Sequence, residues 1–304
     1  MLDGISLDQL RVFITAADEG SFSAAGRKLR RAQSVVSDMV STLEGQIGVT
    51  LFDRTGHTPK LTGAGTALLG DARTIMCGVD GLKARAKGMA RGLEPELSAV
   101  IDVFFPMTAI TAAARAFRAQ FPGTPLRLYV EALGAAGLKV VDGSCSFGVV
   151  GSSLPLLPPT MTSERLDGIE MVLVASPAHP LASLTGTIPR AVLARHVQLV
   201  LTDRSDLSAG REFGVISPQT WRLADLYAKH EFLRHGLGFG GMPLHSVTAD
   251  LASGALVQLM VEDMPAGGLT LPMAVVYPSA LPPGPAGRWL IEFLKTAEAS
   301  ASFL

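Results

Sequence analysis

Residues 21–62 read SFSAAGRKLR RAQSVVSDMV STLEGQIGVT LFDRTGHTPK LT, and this stretch decides the fold of the N-terminal part of the chain. Two short amphipathic patterns predict helices at about 22–29 and 33–47, separated by a polar break at 30–32. Two short strand-like runs follow the second helix. Two helices joined by a tight turn and followed by a strand pair are typical of a winged helix-turn-helix.

The second predicted helix has one apolar face and one polar face. Its apolar residues recur at steps of three and four and form a buried stripe of Val36, Val40, Leu43 and Ile47. The opposite face carries short hydrogen-bonding side chains, which suit the major groove of DNA. These side chains are Gln33, Ser34, Ser37, Asp38 and Ser41. On periodicity alone, an ordinary helical hairpin with a polar outer face remains an alternative.

Basic residues flank this polar face, although residues 1–62 balance seven Lys and Arg against seven Asp and Glu. Arg30 and Arg31 lie in the turn before the second helix. Arg54 and Lys60 bracket a turn-rich loop that we interpret as the wing. We expect these four side chains to contact DNA phosphates and not base edges, because they lie outside the groove-facing stripe.

Many positions of this region match one family in register. They are the segments Ser21-Phe22-Ser23-Ala24-Ala25, Ala32-Gln33-Ser34, Val36-Ser37, Leu43-Glu44, Gly48-Val49, Leu51-Phe52-Asp53-Arg54 and Leu61-Thr62-Gly63-Ala64-Gly65. Together they resemble the N-terminal signature of LysR-type transcriptional regulators. The resemblance implies a dimeric or tetrameric bacterial regulator that binds double-stranded operator DNA, contacts RNA polymerase and binds a small effector in a larger C-terminal domain.

Asp38 departs from the family pattern, in which a basic or amide side chain is frequent at this position. A carboxylate there can accept a hydrogen bond from cytosine N4. Alternatively, Asp38 points back to Arg30 or Arg31 and orders the turn. Both arrangements predict weak non-specific DNA binding, because the carboxylate is repelled by nearby phosphates.

A long helical pattern without proline follows the wing. Its apolar residues alternate steps of four and three, as in a coiled-coil seam, and comprise Leu68, Ala72, Ile75, Val79, Leu82, Ala86 and Met89. We expect this helix to be a linker that dimerises the chain. The alternative is that the stripe packs on its own domain. Gly92 and Pro95 end the pattern.

Beyond Pro95 strand-like and helix-like runs alternate, which predicts a doubly wound α/β domain with mainly parallel strands. The expected strands are 100–105, 126–132, 147–150, 170–175, 197–201, 238–241, 256–259 and 271–277. The expected helices are 108–120, 135–141, 189–194, 222–235, 244–252 and 286–297. Short motifs at 121–122, 178–181 and 236–243 resemble the effector domain of the same family, which is similar to periplasmic binding proteins.

These observations divide the chain into three parts. The expected limits are 1–62 for the winged helix-turn-helix, which is mainly α, 63–92 for the linker helix and 93–304 for a two-lobed α/β effector domain. Within that domain, we assign 93–162 and 268–304 to lobe I and 163–267 to lobe II. Crossover strands are expected to join the lobes.

A cleft in the C-terminal domain is the expected effector site. In such folds small molecules bind beyond the C-terminal ends of strands, where helix N-termini present free N–H groups to anions. We therefore expect a small, anionic metabolite, although each position could instead be a plain turn. The expected contacts are Met107, Thr108, Ala132, Leu133, Ser152, Thr202, Asp203, Met242 and Pro243.

Catalysis, cofactors and metals find little support. The run Gly236–Gly241 matches GxGxxG, but a predicted helix precedes it where a dinucleotide site needs a strand. Ser205 has no Gly-x-Ser-x-Gly context, and the six histidines lack metal-ligand spacing. We expect neither an enzyme nor a cofactor. The rival hypotheses are a solute-binding module fused to a helix-turn-helix and an α/β enzyme without a visible catalytic constellation.

Composition fits a cytoplasmic protein of two or three domains. The 304 residues are 48% hydrophobic and 17% charged, with a net charge of −1 that does not itself point to nucleic acid. No apolar run is long enough to predict a membrane span, and the first residues do not resemble a signal peptide. Cys77 and Cys145 are too far apart in sequence to suggest a disulfide or metal site.

Overall fold

The computed structural model describes residues 4–56, 58–151, 157–202, 204–208, 210–265 and 267–301. The chain forms two compact units, Met1–Gly88 and Met89–Leu304. The N-terminal part of the chain contains α1 (Leu7–Glu19), α2 (Phe22–Leu29), α3 (Gln33–Ile47), β1 (Phe52–Asp53), β2 (Lys60–Leu61) and α4 (Gly63–Met89). Strands β1 and β2 pair antiparallel. These elements confirm the predicted helix-turn-helix with its wing.

Local sequence explains where the first helices begin. Ser6 and Gln9 form a capping box at the start of α1, and Ser21 accepts a hydrogen bond from the N–H of Ala24 at the start of α2. Gly20 ends α1 in the left-handed conformation, with φ 64°. The predicted stripe of α3 is confirmed, because Val36, Val40 and Leu43 are buried and Ile47 packs against them. Three phenylalanine rings complete the core: Phe13, Phe22 and Phe52.

The apolar stripe of α4 serves two purposes, which corrects the expectation of one continuous seam. Leu68 and Ala72 pack into the core of the first unit. Further along the helix, Ile75, Leu82 and Met89 remain 49%, 66% and 48% exposed. The first turns therefore follow the alternative in which the stripe packs on its own domain, and the later turns leave an uncovered apolar face.

The second unit contains one large mixed sheet flanked by helices. Its elements are β3 (Leu97–Asp102), α5 (Met107–Gln120), β4 (Leu126–Glu131), α6 (Gly134–Val141), β5 (Phe147–Gly151), β6 (Met161–Ala175), α7 (Arg190–Leu193), β7 (Gln198–Leu201), β8 (Thr220–Leu223), α8 (Leu226–Arg234), β9 (Phe239–Pro243), α9 (Leu244–Ser253), β10 (Val257–Gln258), β11 (Leu269–Pro278) and α10 (Pro285–Ala301). The main strand order is β4-β3-β5-β11-β6-β9-β7-β8, and β10 pairs with β6.

Strands β6 and β11 join two groups of parallel strands. Strand β3 runs parallel to β4 and β5, and β7 runs parallel to β8 and β9. Strands β6 and β11 are antiparallel to each other and to their other neighbours. The prediction of mainly parallel strands was wrong at the centre of the sheet, because the chain passes between the lobes along these two strands.

Separate apolar cores confirm the two lobes within this unit. Leu166 and Ile169 of β6 belong to a core shared with β3, α5, β11 and α10. Further along the same strand, Val172 and Val174 pack in a core with α8 and α9. A single strand thus contributes to both lobes. Among the described residues, the helices lack the length and apolar character that crossing a bilayer requires.

Three predicted elements differ from the structure. The predicted helix 222–235 is instead the edge strand β8 followed by α8, which begins after Asp225 because that side chain caps the N–H of Ala228 at 2.7 Å. Strand β6 begins at Met161 and not at residue 170, because its first half pairs with the distant β11. Strand β10 covers only Val257–Gln258 of the predicted 256–259.

Candidate DNA-binding and effector-binding sites

The exposed face of α3 presents short polar side chains and one apolar side chain. Gln33, Ser34, Asp38 and Ser41 are exposed, as the sequence predicts. Val35 is 43% exposed on the same helix. The polar pattern of α3 did not indicate Val35, whose methyl groups are suited to contact with a thymine methyl. Ala32 leaves the first N–H groups of α3 without a side-chain cap, so they remain available to a phosphate.

Arg54 connects the wing to α3. Its guanidinium donates to Glu44 Oε2 at 2.8 Å and to Ser37 Oγ at 3.3 Å, and lies 5.3 Å from the centroid of the Phe22 ring. Glu44 also accepts the backbone N–H groups of Leu51 and Phe52. Half-buried Ser37 and exposed Arg54 therefore support the wing, and contact of either residue with DNA remains a prediction.

The two arginines of the turn differ in their partners. Arg30 ends α2 in the left-handed region, with φ 56°. Arg31 donates to Asp8 Oδ2 at 2.6 Å. Among the described residues Asp38 forms an ion pair with neither arginine, so the alternative in which it orders the turn through them is not found. Lys60 in β2 is exposed and lies opposite Asp53 of β1, whose pKa it helps to lower. Arg30 forms no ion pair within 4.0 Å in the described part of the chain.

A cavity of about 540 Å³ lies where the two lobes meet along β6 and β11. Residues of β3, β6, β7, α8 and β11 line it, so both lobes contribute. Most of the lining side chains are apolar, among them Phe104, Met171, Leu201, Phe213 and Leu271. This volume lies within the usual range of about 300–1,000 Å³ for small-molecule sites.

Asp102 lies at the end of β3 and lines this cavity at 1% exposure. Its Oδ1 accepts the N–H of Phe104 at 2.9 Å, and its carboxylate also accepts the N–H of Leu133. Burial raises the pKa of Asp102 to about 7, and the two N–H donors oppose that rise. Leu133 has φ 50°, an unfavourable conformation for a branched residue, and the carboxylate helps to hold it.

Lys229 on α8 is the second buried charge of this cavity, at 4% exposure. Its Nζ donates to the carbonyl oxygen of Gly241 at 2.6 Å. Burial lowers the pKa of Lys229 to about 8. Gly240 makes room for the lysine, since a Cβ at this position would lie 3.3 Å from Lys229 Cε and 2.6 Å from the carbonyl oxygen of Leu199. The glycine-rich run 236–241 thus allows close packing of strand and helix, which is a different role from nucleotide binding.

The structure brings together only part of the predicted effector residues. Leu133 lines the 540 Å³ cavity, and Ala132 lines a neighbouring cavity of about 250 Å³. Ser152 and Asp203 lie outside the described residues. The remaining five expected residues line neither cavity: Met107, Thr108, Thr202, Met242 and Pro243.

Their surroundings explain why these five residues lie outside the two cavities, and their contact with an effector remains a prediction. Met107 and Thr108 are exposed at the start of α5, whereas Phe104 of the preceding turn is the residue that lines the cavity. The side chain of Met242 points into a lobe core and is 1% exposed, and the following Pro243 is also buried. Lys229 was not among the predicted residues, although its position between Leu226 and Leu233 on the apolar stripe of α8 was an available signal. Among the described residues, no cluster of three or more His, Cys, Asp or Glu could hold a metal.

Comparisons with known proteins agree with both halves of this description. A family model for the bacterial regulatory helix-turn-helix protein, lysR family, matches residues 7–66, and a model for the LysR substrate binding domain matches residues 91–299. The RuBisCO operon transcriptional regulator of Allochromatium vinosum is 30% identical over 275 residues, which cover 86% of this chain and 87% of that protein.

Solved structures show the same fold. A cysteine mutant of Corynebacterium glutamicum OxyR matches with a TM-score of 0.58 and 21% identity, over 97% of this chain and 94% of that one. Full-length LysG of the same organism, with bound effector Arg, matches with a TM-score of 0.50 and 22% identity, over 96% and 98%. The model for the LysR substrate binding domain alone matches more than half of this chain. The chain therefore belongs to the LysR family of DNA-binding transcriptional regulators with an effector-binding domain.

Proposed function

We propose that this regulator binds double-stranded operator DNA through α3 and the wing, and that a small anionic metabolite in the 540 Å³ cavity changes that binding. The observation that carries the proposal is a cavity lined by both lobes and containing a buried lysine. A ligand that contacts both lobes favours one lobe arrangement over another. Effector binding is then a population shift that acts on the DNA-binding units.

The proposed base-reading residues lie on the exposed face of α3 and are Gln33, Ser34, Ser37, Asp38 and Ser41. The proposed phosphate contacts are Arg30, Arg31, Arg54 and Lys60. The support is the exposure of α3 and the basic residues on either side of it. Arg31 and Arg54 form ion pairs, and Lys60 lies opposite Asp53. Arg30 therefore supplies the positive charge that is most available to DNA.

The uncovered half of α4 supports a homodimer or homotetramer. Ile75, Leu82 and Met89 recur at heptad spacing and remain exposed in a single chain. A second copy of the helix would bury them. The proposed division remains DNA-binding domain 1–62, linker 63–92 and effector domain 93–304.

The proposed setting is the cytoplasm, where the regulator would meet both operator DNA and RNA polymerase. Membership of a family of transcription regulators supports this setting, and also supports action by binding without catalysis.

A gel-shift titration tests the proposal with the full-length protein and the DNA upstream of its own gene. We expect a specific complex whose affinity exceeds that for random duplex, and whose affinity or mobility changes on adding one organic acid from a thermal-shift screen. Equal binding to both DNAs would contradict operator recognition. Binding of the acid without binding of either DNA would instead support the rival hypothesis of a solute-binding module.

A further inference from the structure

Lys229 leaves hydrogen-bond donors unused inside the cavity. An ammonium group has three N–H donors, and the carbonyl oxygen of Gly241 accepts one of them at 2.6 Å. Among the described residues, no carboxylate lies within 4.0 Å of Lys229 Nζ. Buried charges are normally paired, because removing an ion from water is costly. The position of Nζ is therefore where an anion would be stabilised.

The other charged residues around the cavity already have partners. Asp102 accepts two backbone N–H groups. At the rim, Glu212 forms an ion pair with Arg222, and Arg190 lies 3.6 Å from Asp263. The side chains of these rim residues are between 42% and 71% exposed. Lys229 is consequently the buried cation of the described lining, and the rim charges are screened by water.

The remaining polar lining offers few further contacts. The side chain of Gln198 is occupied by hydrogen bonds to Gly214, Ile216 and Ser217. Most of the cavity wall is apolar. A ligand that fits this wall has an apolar body and a single anionic end.

The number of free donors favours a carboxylate over a phosphate. Two unused N–H groups on Nζ match the two oxygens of a carboxylate. A phosphate or sulfate group would place additional charged oxygens against apolar side chains, which is costly. A second carboxylate on the ligand would meet either that apolar wall or Asp102, so a dicarboxylate is disfavoured in the same way.

We propose that the effector is a monocarboxylate with an apolar body, that its carboxylate binds Lys229 Nζ, and that its body packs on the apolar walls of the two lobes. This inference rests on the proposed effector function of the cavity. It further specifies the charge, the number of charged groups and the anchoring residue.

Three monocarboxylates of different shape serve as probes of the purified full-length protein: octanoate, 3-phenylpropanoate and indole-3-acetate. Calorimetric titration at millimolar concentration should detect binding of at least one. The amide of that acid and a dicarboxylate of the same length should bind at least tenfold more weakly. L-Phenylalanine, which adds an ammonium group to 3-phenylpropanoate, should also bind more weakly than that acid.

Lys229→Met tests the anchor, since it keeps the length of the side chain and removes the charge. We expect its affinity for the acid to fall about 10- to 100-fold, as for a lost hydrogen bond to a charged group. Lys139→Met is the matched control. Lys139 lies above the ring of Tyr129 and lines neither cavity, so this variant should bind the acid like the wild type.

Several results would overturn the proposal. They are binding of none of the three acids, amides or L-phenylalanine binding as well as the acids, and Lys229→Met retaining wild-type affinity in a protein whose circular dichroism shows that it is folded. A gel shift on the same preparations separates this failure from failure of the proposed function. If operator binding responds to an amine or a neutral compound, the proposed regulatory function stands and only the monocarboxylate proposal is rejected.

Discussion

Two adjacent arginines in the turn before α3 differ in how much of their positive charge is available to DNA. Arg31 is held at 2.6 Å from Asp8, whereas Arg30 has no acidic partner among the described residues. A phosphate that contacts Arg31 must compete with this carboxylate, so Arg30 should supply more of the counterion release on binding.

Arg30→Asn is the variant that tests this difference, because asparagine tolerates the left-handed backbone at this position. It should lower the slope of log affinity against log salt by about one unit, equally on operator and random DNA. Arg31→Asn should change the slope by less. Gel shifts at four salt concentrations measure both variants. Loss of preference at one base pair would instead assign Arg30 to base reading.

The charge on Lys229 should destabilise the fold at neutral pH. Burial lowers its pKa to about 8, whereas a lysine in the unfolded chain titrates near 10.4. Between these values the unfolded chain binds more protons, so the free energy of unfolding rises with pH through this window. Below pH 8 the destabilisation caused by burying the charged ammonium of Lys229 is fully present. The difference between the folded and unfolded pKa of Lys229 corresponds to about 3 kcal/mol in the free energy of unfolding.

Lys229→Met should therefore be more stable than the wild type at pH 7, by up to about 3 kcal/mol, and the difference should shrink by pH 10. Urea unfolding at several pH values measures it. Asp102, whose pKa burial raises to about 7, is present in both proteins, so its own titration cancels in the difference between them. A variant less stable than the wild type at pH 7 would show that the ammonium has a stabilising partner.

At the scale of elements, α8 and β9 approach closely because of Gly240. A Cβ at this position would lie 2.6 Å from the carbonyl oxygen of Leu199 and 3.3 Å from Lys229 Cε. Gly240→Ala should destabilise the effector domain by about 1–3 kcal/mol and weaken binding of the monocarboxylate. Gly241→Ala is the matched control, since its nearest contact would be Leu173 Cδ2 at 3.9 Å. Equal melting temperatures for the two variants would contradict the packing argument.

The exposed half of α4 is the element expected to join two chains. Ile75→Asp combined with Leu82→Asp should give monomers in sedimentation velocity and should leave helicity unchanged, because neither side chain is buried in one chain. Ala84→Asp, on an exposed position outside the stripe, should remain oligomeric. Leu68→Asp should instead unfold the N-terminal unit, whose core it contacts. Persistent dimers of the double variant would place the interface elsewhere.

Local patterns predicted some elements better than others. The stripe of α3 follows directly from its spacing, and Val36, Val40 and Leu43 are indeed buried. The run from Thr220 to Arg234 contains neither glycine nor proline, so the strand and helix within it were merged, and only the cap at Asp225 marks the boundary. The first half of β6 is polar and partly exposed, and its structure depends on pairing with β11, far away in sequence.

The same distinction holds for the effector site. Leu133 was predicted because strand ends border clefts in α/β folds. Lys229 was missed because helix α8 reaches the cavity through packing between distant elements. A local sequence pattern carries little information about such packing. Thr108 satisfies the local rule for an anion site, but the orientation of α5 leaves it exposed outside the cavity.

At the scale of the whole molecule, effector and operator should influence each other through the linked units. If the monocarboxylate changes operator affinity by some factor, operator DNA must change the affinity for the monocarboxylate by the same factor. Coupling of this kind is typically about 5- to 150-fold. Titrating the acid with and without saturating operator, and the operator with and without saturating acid, should give the same ratio.

Two variants separate the sources of this coupling. Lys229→Met should bind operator normally and show a ratio near one at acid concentrations that saturate the wild type, because it lacks the anchor. The double variant at Ile75 and Leu82 should bind the acid normally, since its effector domain is unchanged, yet show little coupling, because one DNA-binding unit has no second unit whose spacing could change. Full coupling in that monomer would mean that the effector domain acts on its own DNA-binding unit through α4 alone, and would reject a mechanism based on spacing within a dimer.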